Sequence, residues 1–109
     1  MIMVLSDFNQ VIYLVITNEA DEKNADKIAD LLLGEKLIAC VSFKNIESKF
    51  WWDGKINQSK EVQLVIKCKK GNIKKVCNRI SESHSYKLPE IIYFPVSATK
   101  DYHHWVNSF

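Results

Sequence analysis

Only three glycines and two prolines occur in the 109 residues. Nothing in so few chain breakers reads as a linker, a low-complexity tract or an internal repeat, so one domain over residues 1–109 is expected. Cysteine is sparse too. Cys40, Cys68 and Cys77 are odd in number and form no C-x-x-C pair. This argues against a disulfide framework or a structural zinc site and favours a reducing, cytoplasmic setting. No apolar run approaches the ~20 residues of a membrane span. The opening Met-Ile-Met-Val-Leu is too short for the core of a secretion signal. Charge of one sign is also missing: 15 Lys plus Arg stand against 13 Asp plus Glu, a net +2 that gives no footprint for nucleic acid. Absent as well are the G-x-x-x-x-G-K-[ST] and G-x-G-x-x-G phosphate-binding patterns.

Present instead is a regular alternation of apolar periods. Val11–Ile16 is a continuous apolar, largely β-branched run, as expected for a strand buried on both faces. The following segment changes to helical spacing, with Ala25, Ile28, Ala29 and Leu32 on one stripe and Asn18 or Asp21 as its cap. Ile38–Phe43 begins a second strand that runs on through Asn45–Trp52, and Lys55–Cys68 returns as a third. In the third strand Val62, Leu64 and Ile66 share one face, while Gln63, Val65 and Lys67 share the other. Ile73, Val76, Cys77 and Ile80 define a second helix with Asn72 as cap. Glu90–Val96 is a last strand, with Pro95 near its end or on an edge. Thr99–Val106 closes as a short helical turn. The order predicts an α+β fold, a ferredoxin-like βαββαβ sandwich with a long central hairpin and a short C-terminal helix.

One stretch does not fit a self-sufficient sandwich. Phe50, Trp51 and Trp52 stand directly before Asp53-Gly54, the dipeptide of a type I′ hairpin turn. Side chains alternate along a strand, so this aromatic run must supply both faces of the sheet. With both long helices on one face, the other is left uncovered, and an apolar patch of that size on a monomer calls for a partner. A subunit interface is the expectation, with a ligand groove as the competing one.

Several segments, in order, resemble the CutA divalent-ion tolerance family: Glu35–Phe43, Phe50–Ile56, Glu61–Lys70, Ser83–Val96 and Asp101–Val106. The resemblance spans about Val11 to Trp105. It implies a ferredoxin-like homotrimer with the sheets packed inward, similar in architecture to PII signalling proteins. It also implies no established enzyme activity, and a role in tolerance to copper and other divalent metals. The competing readings are an enzyme or a structural anchoring protein with a small-molecule cleft between subunits.

Soft metals prefer thiolate and imidazole ligands. By the resemblance, Cys40 and His84 match the family's recurrent Cys and His, the candidate ligands for copper or another divalent cation. The favoured reading of the residues themselves is packing, with Cys40 a buried small hydrophobe and His84 a helix C-terminal residue interacting with the dipole. Ile16 and Ser83 occupy two further positions where some relatives have ligands, and Ser85 replaces the proline of the usual His-Pro-Tyr. His103 and His104 are adjacent on a helix and splay apart. Trp52, Glu61, Lys67, Tyr86, Glu90 and Trp105 match positions of unchanged residue type in the family. They are expected to gather into a binding cleft bordered by more than one subunit, with Lys67 and Glu90 near one sheet end as either an ion pair or part of the site. No nucleophile–base pair or carboxylate pair is evident in the motifs, and neither a nucleic-acid nor a membrane partner is expected.

Overall fold

The computed structural model describes residues 10–109; the opening apolar stretch lies outside them. Four strands, β1 (Gln10–Glu19), β2 (Cys40–Trp52), β3 (Lys55–Cys68) and β4 (Ile92–Ala98), form one antiparallel sheet in the order β2-β3-β1-β4. Helices α1 (Glu22–Gly34) and α2 (Ile73–Ser83) are the two crossovers, a single 3₁₀ turn (Lys70–Asn72) precedes α2, and α3 (Lys100–Asn107) follows β4. This is the expected ferredoxin-like α+β arrangement.

Local chemistry sets the element ends. Asp21 caps α1: its carboxylate accepts the Asn24 N–H at 2.8 Å, satisfying a donor that the helix itself leaves free. At the other end the left-handed residue is Lys36 (φ 56°), not Gly34. It brings the Leu37 N–H back to the Leu32 carbonyl and the Lys36 N–H to that of Leu33. Asn72 does not cap α2 with its side chain. Its amide donates instead to the Leu37 carbonyl at 3.1 Å, tying α2's start to the loop before β2. Asp53 (φ 54°) and Gly54 (φ 73°) are both left-handed, as a type I′ turn requires.

Alternation then sorts the side chains. Val15, Val62, Leu64, Ile66 and Cys68 point to one face and pack with Ala25, Ile28, Leu32, Val76 and Ile80 of the two helices. This is the main core. On the opposite face lie Leu14, Ile16, Val65, Lys67 and, from the edge strand β4, Ile92 and Phe94. Phe94 pairs with Leu14, which pairs with Lys67. That face is not entirely bare, as the sequence suggested. Val106 of α3 buries against Ile12 and Ala39, with Phe109 alongside, so α3 roofs one end of it. Pro95 sits within β4 opposite Tyr13, tolerated because β4 is an edge. The β2–β3 hairpin runs far past the helices, giving the molecule a long dimension of 52 Å.

Candidate functional site

The hairpin settles where the three aromatics point. Trp52 and Phe50 share the parity of Cys40 and lie on the face opposite the main core, whereas Trp51 turns to the other side opposite Ile56. Trp51 is 72% exposed and Trp52 54%, since no helix reaches this far along the hairpin. With Phe50, Ile92 and Phe94 also exposed, the chain presents aromatic and aliphatic surface from both the sheet face and the hairpin.

Of the six residues of the expected cleft, only two meet within one chain. Glu61 and Tyr86 meet: the Tyr86 hydroxyl donates to a Glu61 carboxylate oxygen at 2.7 Å. Burial, this hydrogen bond, and the negative charges of Glu61, Glu19 and Asp21 hold the phenol above the usual tyrosine range. Tyr86 is therefore a proton donor to Glu61 throughout the neutral range. Glu61 is itself buried, and it lines a cavity of about 500 Å³ with Asp21, Glu22, Glu47 and Lys60. Trp52 lies six residues further along the hairpin, about 20 Å away at ~3.3 Å per residue. At the α3 end, Trp105 lies between Tyr102, tilted against it, and Phe109, met edge-on, with ring centroids at 5.6 and 5.4 Å.

Lys67 and Glu90 do not form an ion pair. Lys67 is half-buried and its Nζ points to the Cys40 Sγ at 3.9 Å, the two being cross-strand neighbours on the open face. Glu90 is exposed in the connection before β4, and neither residue enters an ion pair among the described residues. The reason is register. Lys67 stands opposite Leu14, while Glu90 precedes Ile92, which pairs with Ile16 further along β1.

Register also separates the candidate metal ligands. Cys40 is level with Leu14 through Lys67 and lies two strands away, whereas His84 sits beside Glu19, five residues and so about 16 Å further along the strand direction. The His84 side chain is fully buried. Its Nδ1 accepts the Tyr86 N–H at 3.1 Å and lies 3.5 Å from Glu19, while its Nε2 has no partner. An Nδ1 that accepts a hydrogen bond leaves the proton on Nε2, so the imidazole is not set to offer Nε2 to an ion in this arrangement. Ile16 and Ser83 add no soft ligand, and no group of three or more His, Cys, Asp or Glu side chains among the described residues has metal-holding geometry. Within one chain, then, these residues do not fit a metal site. His103 and His104 also take part in no such group.

Sequence reasoning missed Glu19. It ends β1 fully buried, accepts the Ala20 N–H at 2.9 Å and the Ser85 N–H at 3.0 Å, and also takes the Ser85 hydroxyl. The only hint was a carboxylate between a strand and a helix cap, which ordinarily reads as solvated. Cys68 and Cys77 behave as packing residues: burial pushes the Cys68 thiol up to about 11, with Cys77 adding to it, and burial raises Cys77 as well.

Comparison with known proteins bears on the family and the fold. The family model described as CutA1 divalent ion tolerance protein matches residues 13–108. The divalent-cation tolerance protein CutA of Yersinia pestis (strain Pestoides F) is 36% identical over 110 aligned positions, covering 95% of this chain and 92% of the relative. Among solved structures, CutA from Xylella fastidiosa superposes with a TM-score of 0.86 at 33% identity, covering 92% of this chain and 97% of that one. A structure from Archaeoglobus fulgidus, described as a periplasmic divalent cation tolerance protein CutA, gives 0.84 at 30% identity over 87% and 94% of the two chains.

Proposed function

Because this chain belongs to the CutA1 divalent ion tolerance family, we propose that it works as a homotrimeric, non-enzymatic binding module in the response to divalent metal ions. The observation that carries the reading is the open sheet face. Ile92, Phe94, Phe50 and Trp52 are exposed on the side away from the main core, and α3 roofs only one end of it. Packing three such faces around a three-fold axis, each against a different surface of its neighbour, buries them in a closed ring. The hairpin, extending past its own domain, has the length to lie on a neighbour.

Assembly also gives the scattered cleft residues a route to one another. Trp52 on one protomer's hairpin tip, Lys67 on a sheet face and the Glu61–Tyr86 pair are too far apart in one chain to bind one small molecule. Supplied by different protomers, they make a cleft with aromatic walls, one ammonium and a buried carboxylate. The same holds for metal. Cys40 and His84 would share a copper or other divalent ion only across a subunit boundary and only if the turn that buries the His84 side chain opened. A non-enzymatic role is favoured because the family and its curated relatives are named for divalent-cation tolerance and not for a reaction. We place the protein in the cytoplasm on the strength of its three free cysteines; no helix of the described residues is long and apolar enough to cross a membrane.

Calorimetric titration with Cu(I), Cu(II), Zn(II) and a panel of anionic metabolites tests the reading. Micromolar or tighter binding of at least one is expected. If a copper ion is shared, Cys40→Ala and His84→Ala will each weaken it and the two losses will not add. Equal metal affinity in wild type and both variants assigns these residues to packing. Binding of none of the probes overturns the binding-module reading and favours an anchoring protein.

A further inference from the structure

β1 stops at Glu19, level with Val62, while β3 continues with Glu61 into the hairpin. The place a longer β1 would occupy is taken by the turn after α2. His84 ends α2, its N–H bonded to the Ile80 carbonyl, and Ser85 then turns both its donors onto one buried carboxylate. Its N–H reaches Glu19 Oε2 at 3.0 Å and its hydroxyl reaches Oε1. With the Ala20 N–H at 2.9 Å, Glu19 accepts three hydrogen bonds, which offset the cost of burying its polar oxygens. Two of the three come from a segment 66 residues away in sequence. The next residue is Tyr86, whose N–H is taken by His84 and whose hydroxyl crosses to Glu61 at 2.7 Å.

We propose that Glu19 and Ser85 are a positioning pair: the buried carboxylate fixes the 84–86 turn and thereby holds the Tyr86 hydroxyl on Glu61 at the cavity. A hydroxyl residue suits this position because it brings two donors where proline, lacking the N–H, brings none. The link runs from Glu19, on the helix-covered side of β1, past the strand end to Glu61, whose parity is opposite to that of Val62. A shift at Glu19 is therefore passed to the cleft through one turn of backbone. The inference concerns the wall of the cleft proposed above, not its ligand. Failure to find a ligand leaves it standing, and its own failure leaves the trimeric binding module standing.

The test reads Tyr86 directly in the full-length protein. With carbon-13-labelled tyrosine the four tyrosines give separable signals, and Tyr86→Phe identifies the one at issue. At neutral pH the wild-type Tyr86 hydroxyl proton should be protected from exchange. In Ser85→Ala, which keeps the N–H but loses the hydroxyl, the Tyr86 signal alone should move, and its hydroxyl proton should exchange about tenfold faster, the weakening expected for a bond to a charged acceptor. Ser85→Thr, which restores the hydroxyl, should return both readings to wild type. Glu19→Gln should reproduce the Ala effect. If it fails to fold, the Ala and Thr pair still decides. An unchanged Tyr86 signal and exchange rate in folded Ser85→Ala, or no rescue by Thr, overturns the proposal.

Discussion

Replacing Phe94 with Asp puts the assembly to its sharpest test. Phe94 lies on the open face, in register with Leu14 and, one strand further, Lys67, and it is 38% exposed. For an aromatic side chain of about 200 Å² this leaves about 75 Å² to be covered by a neighbour, worth ~2 kcal/mol at about 25 cal/mol per Å². A closed trimer repeats the contact three times, so about 6 kcal/mol of apolar stabilisation is at stake. An aspartate removes that and adds an unpaired carboxylate at each contact, costing several kcal/mol more per ion. At about 1.4 kcal/mol per tenfold, the apolar loss alone lowers the trimer association constant by roughly four orders of magnitude. Sedimentation velocity at micromolar concentration should therefore show a trimer for wild type and a predominant monomer for Phe94→Asp. Leu33→Glu is the control. Leu33 is comparably exposed at 43%, but on α1, and the variant should stay trimeric. A wild-type monomer, or a Phe94→Asp trimer as tight as wild type, would refute the reasoning.

Two further outcomes follow from local chemistry. The Cys68 thiol is pushed up to about 11 from an ordinary value near 9. Its neutral form is therefore favoured by folding: the contribution is full below about pH 9 and is lost as pH rises toward about 11. Thermal melts across that range should show a falling midpoint, with a shallower slope in Cys68→Ala; identical slopes would place the alkaline loss on other groups, such as Cys77 or Tyr86. Asp21→Ala, which leaves the Asn24 N–H without its cap, should cost about 1 kcal/mol in chemical denaturation, and no measurable change would mean that water substitutes fully for the carboxylate.

The sequence by itself determined the elements, and with them the family. The periods of two and 3.6, the Asp53-Gly54 turn and the run of quoted segments are local signals that act over a few residues. They placed the hairpin, both long helices and the two faces of β3. The Glu61–Tyr86 pair was half legible: both residues were singled out, but not as partners. What only the tertiary structure decided is every relation that depends on strand register and on what fills the end of a strand. Register puts Cys40 and His84 about 16 Å apart along β1. It also keeps Lys67 away from Glu90, though their places in the strand pattern allowed them to meet near one sheet end. The stopping point of β1 lets the turn after α2 close over Glu19, turning an ordinary-looking acidic residue into the buried acceptor of three hydrogen bonds. α3 could be read as a helix, but its seat on Ile12 depends on which face β4 leaves open. The physical reason is the same in each case: a sequence pattern fixes which way a side chain points along its own element, whereas its neighbours are chosen by contacts between segments tens of residues apart.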